Sequence, residues 1–189
     1  MNRAFLAVST CILTTLLFAA INFADAPATQ PATQPDDGVI RVKAGADKAF
    51  TDPQGHVWQA DTGFDGGDTV SRDPGLKIEN TDMPDFYRNE HYDMTKWSAT
   101  VPNGTYTVKL YFCETYEGIT DVGQRIFDVS IQGKKVLKDF DVYKVAGGAE
   151  KPITKTYDDI AVTDGKITVS FDANIQSPQI NGIEIIPKK

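Results

Sequence analysis

Cysteine is scarce in this sequence, and basic residues are fewer than acidic ones. Only Cys11 and Cys113 occur among 189 residues, and 26 acidic residues outnumber 19 basic ones, which gives a net charge of −7. Nucleic acids and anionic membranes attract Lys and Arg, so we expect the chain to bind neither. A neutral ligand is compatible with this charge.

Helical periodicity and the usual catalytic motifs are missing as well. No eleven-residue window after Val39 has an apolar stripe at helical spacing. The sequence has no Gly-x-Ser-x-Gly elbow, zinc-binding His pair, phosphate loop or EF-hand loop. We therefore expect no cofactor and no metal, and interpret four acids as solvated surface groups: Asp139, Asp141, Asp158 and Asp159.

Residues 1–26 have the features of a secretory signal peptide. Arg3 precedes the apolar run "AFLAVSTCILTTLLFAAINFA", and Ala24-Asp25-Ala26 forms a small-x-small cleavage site. An uncleaved membrane anchor is the alternative, because the run is almost long enough to span a bilayer. Cleavage would give a secreted or periplasmic protein without membrane insertion. It would leave 163 residues and one cysteine, Cys113, which we expect to be buried and unpaired.

Residues 27–38, "PATQPATQPDDG", repeat a four-residue unit of Pro, Ala, Thr and Gln. Such a segment has no apolar face, and its prolines favour extended polyproline geometry. We interpret it as a linker that precedes a single domain over residues 39–189.

Short runs rich in Val, Ile, Tyr, Phe and Thr recur from Val39 onward and are separated by turn residues. Within "TYTVKLYF" (105–112), alternate residues from Tyr106 to Phe112 are apolar, as in a half-buried strand. Turns are expected at 102–104 and at Gln132-Gly133, and "DIAVTDGKITVSF" predicts a hairpin around Asp164-Gly165. The fold class is therefore all-β, a jelly-roll β-sandwich of two antiparallel sheets.

The strand that ends at Phe112 continues into "CETY" instead of turn residues. Aromatic rings pack against the C–H faces of sugars, and short polar groups bind their hydroxyls. We interpret Tyr116 as a sugar platform flanked by the acceptors Glu114 and Glu117. Tyr92 and Glu90 would approach from a neighbouring loop, since the loops at one end of a sandwich converge. A purely structural role at the sheet edge is the alternative for both tyrosines.

The glycine-rich stretch "DTGFDGG", which contains Asp61 and Phe64, is either a rim of the same site or a flexible surface loop. Trp58 and Trp97 are assigned to the core. We interpret Arg125, in "GQRIFDV", as a scaffold residue.

The ordered pieces "IRVKAG", "VWQADTGFDGG", "FYRNEHY", "VPNGTYTVKLYFCETY", "GQRIFDVSIQG", "VLKDFDV" and "INGIEI" resemble the malectin domain family across residues 39–187. The resemblance implies a β-sandwich that binds sugars through loops at one end. Tyr92 and Tyr116 match two aromatic site positions of the family, Glu117 replaces a third, and Gln176 falls where the family has an aspartate. An upstream family tyrosine has no counterpart in "DTVSRDP".

These observations predict an exported, non-catalytic domain that binds neutral, glucose-type oligosaccharides. Two alternatives stay open. One is a surface module that binds a protein partner, and the other is a glycoside hydrolase with Glu90 and Glu114 as its two carboxylates.

Overall fold

Antiparallel strands form nearly all the regular structure in the computed structural model, which describes residues 38–189. The proposed signal peptide (1–26) and all but the last residue of the proposed linker (27–38) lie outside the described residues. The strands are β1 (Ile40–Lys43), β2 (Phe50–Thr51), β3 (Val57–Trp58), β4 (Phe64–Asp65), β5 (Asp68–Ser71), β6 (Asn89–Tyr92), β7 (Lys96–Thr100), β8 (Gly104–Phe112), β9 (Ile126–Ile131), β10 (Lys134–Phe140), β11 (Ile153–Val162), β12 (Lys166–Ile175), β13 (Gln179–Ile180) and β14 (Gly182–Pro187). Two short helices, α1 (Pro84–Tyr87) and α2 (Val142–Ala146), interrupt them. Neither has the length to cross a bilayer.

Two large sheets enclose the core, which confirms the predicted sandwich. The first sheet has the order β1-β14-β8-β11, and the second has the order β10-β9-β12-β7-β4. Every pairing within them is antiparallel. Buried side chains from both sheets form one cluster between them, including Leu110 and Ile183 of the first sheet and Trp97, Val129 and Val169 of the second.

Strand β8 is buried on both faces toward its end. Tyr106, Val108, Leu110 and Phe112 point into the core, as their alternation predicts. The opposite face carries a second apolar cluster, made of Trp58, Phe86, Tyr87, Tyr111 and Cys113. Its rings meet edge to face, with centroids of Trp58 and Phe86 4.6 Å apart. The backbone after Phe112 therefore starts from a strand that is packed from both sides.

The turn at Asp164-Gly165 does not form the predicted hairpin. β11 pairs with β8 in the first sheet, whereas β12 pairs with β7 and β9 in the second. The turn thus takes the chain from one sheet to the other. It is hydrogen-bonded to the segment between β7 and β8, which also crosses between the sheets: Val101 N donates to Gly165 O (3.0 Å), and Gly165 N donates to Asn103 Oδ1 (2.8 Å). The turn predicted at Gln132-Gly133 is confirmed, and it closes a hairpin, because β9 and β10 pair directly across it.

Both ends of the described chain lie at one end of the sandwich. Ile40 pairs with Ile185, and Pro187 pairs with Tyr106 near the beginning of β8. The segment 113–116 follows Phe112 at the other end of the same strand.

Candidate functional site

A small third sheet, of order β13-β6-β5, adjoins the end of β8. The fully buried Asn181 connects the two. Its Oδ1 accepts a hydrogen bond from Cys113 N (2.6 Å), and its Nδ2 donates to Asn89 O (2.7 Å) and Tyr87 O (3.2 Å). Because β6 is fastened in this way, its residues Glu90 and Tyr92 lie beside the segment that contains Tyr116.

Two adjoining cavities open at this end of the domain. The first, which we call the Tyr92 cavity, has a volume of about 290 Å³, and its lining includes Arg72, Glu90, Tyr92, Tyr116, Arg125 and Gln176. The second, the Tyr143 cavity, has a volume of about 570 Å³, and its lining includes Arg72, Asp73, Tyr116, Glu117, Tyr143 and Glu150. Arg72 and Tyr116 line both, so they form the boundary between the two cavities.

Five of the eight side chains proposed from the sequence line these cavities. Glu90, Tyr92, Tyr116 and Gln176 surround the Tyr92 cavity, and Glu117 joins Tyr116 in the Tyr143 cavity. Tyr116 is 41 % exposed, the condition that a stacking platform requires.

Glu114 lines neither cavity, and its proposed contact with sugar is corrected. The side chain is wholly buried, where it accepts hydrogen bonds from Arg125 Nε (2.8 Å) and from the backbone of Tyr116 (3.1 Å). Burial raises the pKa of Glu114, and the neighbouring guanidinium of Arg125 opposes that rise. The residue therefore holds Tyr116 in position and has no surface to offer a ligand.

Asp61 and Phe64 also lie outside both cavities, so their proposed place at the rim is corrected. Asp61 accepts hydrogen bonds from Gly45 N (2.6 Å) and His91 Nδ1 (2.9 Å), while Phe64 stacks on the His91 ring with centroids 4.0 Å apart. Side chains alternate along a strand, so His91 points away from the face that presents Glu90 and Tyr92. Asp61 and Phe64 support β6 from behind.

Arg72 is a cavity residue that the sequence reasoning missed. Its Nη2 donates to Glu90 Oε1 (2.6 Å), its Nε donates to Thr115 Oγ1 (3.1 Å), and its guanidinium lies 5.7 Å from the centre of the Tyr116 ring. Thr115 in turn donates to Glu90 Oε2 (3.0 Å). The only sequence signal was negative: Arg72 lies in "DTVSRDP", where the family tyrosine has no counterpart.

Arg125 is the second missed residue, since the sequence favoured a purely structural role. Its Nε is paired with Glu114, and its Nη1 donates to the Ser177 carbonyl. The wall of the Tyr92 cavity thus contains two guanidinium groups, each paired with a carboxylate: Arg72 with Glu90, which also lines the cavity, and Arg125 with Glu114, which lies buried behind it. Among residues 38–189, Arg72 Nη1 and Arg125 Nη2 have no hydrogen-bond partner, which leaves N–H donors for a ligand.

The acids that we interpreted as solvated have separate roles. Asp141 is buried and caps α2, so its interpretation as a solvated group is wrong. Asp158 and Asp159 are exposed; Asp158 accepts from Thr107, and Asp159 pairs with Lys188. Over the described part of the chain, no three His, Cys, Asp or Glu side chains gather in a way that would hold a metal ion.

Comparison with known proteins places these features in a family. Residues 38–186 match the Malectin domain. A probable receptor-like protein kinase of Arabidopsis thaliana, At5g39020, is 26 % identical over 149 residues, and the kinesin-like protein KIN-14E of Oryza sativa subsp. japonica is 29 % identical over 158. These alignments cover 70 % and 78 % of this chain but 17 % and 14 % of the relatives.

Solved structures share the fold at low sequence identity. The plant receptor-like kinase FER superposes with a TM-score of 0.70 at 21 % identity, over 78 % of this chain and 48 % of that one. A Bacteroides uniformis beta-glucuronidase gives 0.72 at 20 % identity, over 80 % of this chain and 18 % of that one. The chain thus corresponds to one part of larger proteins, and by its match over residues 38–186 it belongs to the malectin domain family of carbohydrate-binding modules.

Proposed function

We propose that this domain binds a neutral, glucose-type oligosaccharide without catalysis and holds one sugar residue in the Tyr92 cavity. The observation that supports this most is the convergence of Tyr92 and Tyr116, which are distant in sequence, on one cavity with charged and amide side chains. A ring face beside several hydrogen-bonding groups is the combination that a pyranose requires.

The roles of the side chains follow from their positions. The exposed face of Tyr116 would pack against the C–H face of the sugar, while Tyr92, Gln176 and the free N–H groups of the two arginines would bind hydroxyls. Each ring contact and each net hydrogen bond contributes about 0.5–1.5 kcal/mol. A few of each give dissociation constants in roughly the micromolar to millimolar range.

The charge of the wall supports a neutral ligand. Arg72 and Arg125 are each bonded to a buried carboxylate, so the cavity has no surplus positive charge to attract an anionic sugar. Asp73, Glu117 and Glu150 next door add negative charge. An acidic sugar would be repelled by these groups.

The same ion pairs argue against hydrolysis. A glycosidase needs one carboxylic acid free to donate a proton and a second carboxylate free to act as base or nucleophile. Both oxygens of Glu90 accept hydrogen bonds from Arg72 or Thr115, and Glu114 is wholly buried. The pair proposed for the hydrolase alternative is better suited to hold the cavity walls.

Calorimetric titration of the full chain with neutral α- and β-linked glucose oligosaccharides tests the proposal. We expect binding that Tyr92→Ala and Tyr116→Ala each weaken at least about tenfold, a loss of about 1.4 kcal/mol. Tyr116→Phe should keep most of the affinity, since it keeps the ring. Tyr157→Phe, on a strand away from both cavities, is the matched control. Stronger binding of glucuronate-containing oligosaccharides would overturn the neutral assignment, and no binding across the panel would overturn the proposal in favour of a protein partner.

We also propose that residues 1–26 direct export and are removed. Mass spectrometry of the protein recovered outside the cytoplasm should then give an N-terminus at Pro27. Recovery of the intact chain in the membrane fraction would favour the anchor instead.

A further inference from the structure

We propose that the Tyr143 cavity is a second sugar subsite, so that the ligand is a chain of at least two sugar residues lying across Arg72 and Tyr116. This inference depends on the proposed function, because it extends the ligand of the Tyr92 cavity. It assigns Tyr143, which lies on α2, as a second aromatic platform.

Size and continuity support two subsites. The Tyr143 cavity, at about 570 Å³, falls within the range of about 300–1,000 Å³ typical of small-molecule sites. It shares Arg72 and Tyr116 with the Tyr92 cavity, so the two cavities adjoin and a ligand longer than one sugar residue would extend from one into the other across these two side chains. A single sugar residue cannot fill both cavities.

The chemistry of the lining also suits a sugar. Tyr143 is half-buried, and none of the described residues forms a hydrogen bond with its hydroxyl. The carboxylates of Glu117 and Glu150 line the same cavity, also without a hydrogen-bond donor from residues 38–189. Ile119 and Leu76 add apolar surface. Carboxylate oxygens accept hydrogen bonds from sugar hydroxyls, and aromatic and aliphatic groups pack against ring C–H bonds.

The backbone around Tyr143 is fixed by several hydrogen bonds. Asp141 accepts from Lys144 N (2.9 Å) through Oδ1 and from Gly123 N (2.6 Å) through Oδ2, which joins α2 to the loop before β9. After the helix, Gly148 N donates to Tyr143 O (2.9 Å), and Glu150 N donates to Glu114 O (2.8 Å). The backbone that lines the Tyr143 cavity is thereby connected to the segment that contains Tyr116. A platform held in advance lowers the ordering cost of binding.

The test measures affinity against chain length, with neutral glucose oligomers of one to four residues as probes. For the wild-type chain we expect affinity to rise about tenfold between one and three residues. Tyr143→Ala should remove most of that gain and leave the affinity for the single residue unchanged. Tyr143→Phe should keep most of the gain, and an unchanged urea unfolding midpoint for each variant would verify the fold.

Each result decides between the two proposals. Binding that Tyr116→Ala abolishes but that does not depend on chain length would overturn the second subsite and leave the Tyr92 cavity as the sugar site. The same conclusion follows if Tyr143→Ala weakens all lengths equally or none of them. Absence of binding at every length would overturn both.

Discussion

Arg125 and Glu114 form an ion pair, with 2.8 Å between Arg125 Nε and Glu114 Oε2, in which both side chains are almost inaccessible to water (6 % and 0 % exposed). The second carboxylate oxygen accepts from the backbone of Tyr116. One pair thus fixes a cavity wall, through Arg125, and the backbone of the proposed sugar platform. Burying two charges costs desolvation free energy, and the pair offsets that cost only while both partners are present.

Replacement of Arg125 by Met should lower the free energy of unfolding by about 3–5 kcal/mol at neutral pH, because Glu114 would stay buried without a counter-charge. Burial already raises the pKa of Glu114, and the loss of Arg125 should raise it further. A raised carboxyl pKa means that the folded state takes up a proton more readily than the unfolded state. Stability should therefore recover as the pH falls through the folded pKa toward the unfolded value of about 4.3. Urea unfolding at a series of pH values measures this.

Lys96→Met is the matched control for that prediction. Lys96 pairs with Asp65 at 3.0 Å, but both side chains are substantially exposed (39 % and 63 %). A surface pair contributes about 0–1 kcal/mol, so the control should unfold much like the wild type. Equal losses in the two variants would contradict the importance that we assign to burial.

His91 should make the stability of the wild-type domain depend on pH near neutrality. Burial acts to lower the pKa of His91, but hydrogen bonds from its two ring nitrogens to Asp61 Oδ2 and Gly66 O, with the nearby negative charge, raise it overall. The Asp61 carboxylate and the Gly66 carbonyl both accept hydrogen bonds, so the protonated ring, with a donor on each nitrogen, satisfies both of them. A histidine with a raised folded pKa stabilises fully below its unfolded pKa, about 6.5, and loses that contribution as pH rises through the folded value.

The measurement compares unfolding of the wild type and His91→Gln from about pH 5 to pH 9. The difference between them should be largest at the acid end and should decrease above pH 6.5 or so. His56→Gln would simplify a direct NMR titration of His91, since these are the only two histidines. A stability difference that grows with pH would refute the assignment of imidazolium.

Gly45 and Gly133 offer a comparison of backbone strain with close packing. Both have positive φ, 75° and 74°. A Cβ at Gly45 would lie 2.3 Å from Glu90 O, whereas one at Gly133 would meet nothing within 4 Å. Gly133→Ala should cost about 1–2 kcal/mol from the left-handed conformation alone. Gly45→Ala should lower the free energy of unfolding clearly more than Gly133→Ala, and it should also weaken sugar binding, because β6 must move to make room for the Cβ. Similar urea unfolding midpoints for the two variants would contradict this and show that β6 adjusts freely.

Cys113 should be unreactive while the domain is folded. Its side chain is fully buried, and burial, followed by the nearby acids Glu114, Glu90 and Glu150, raises the pKa of the thiol far above its ordinary value. Since only the thiolate reacts, we expect slow labelling by iodoacetamide in the native state and rapid labelling in urea. The experiment uses a Cys11→Ser background. Rapid native labelling would mean that the second apolar cluster opens readily.

The sequence was informative where a local pattern determines the structure. Alternation identified β8 and its inward face, and Gln132-Gly133 marked a true hairpin. Asp164-Gly165 has the same turn chemistry, but local residues do not specify which sheet each flanking strand joins. β12 does not pair with β11, because it is hydrogen-bonded to β9 along one edge and to β7 along the other.

The candidate site also contains residues that the sequence identified and residues that only the fold reveals. Tyr92 and Tyr116 were identifiable because they match aromatic site positions of the family, and Tyr116 also follows a strand that ends without turn residues. Arg72 was not, because a long charged side chain looks solvated in sequence and only the fold reveals its buried partner. Arg125 was interpreted as a scaffold residue, and only the fold shows that it also lines the cavity. The burial of Glu114 was not predicted, because side-chain alternation no longer indicates which way a carboxylate points once the strand has ended.

The position of the chain ends has a practical consequence. The nine residues of β8 separate Gly104, near which residues 38 and 187 lie, from Phe112 and the cavities beyond. At about 3.3 Å per residue this is roughly 30 Å. A sensor surface, enzyme or neighbouring module joined at residue 38 or after residue 187 would therefore leave the end with the two cavities unobstructed, with Tyr92 and Tyr116 facing away from the attachment.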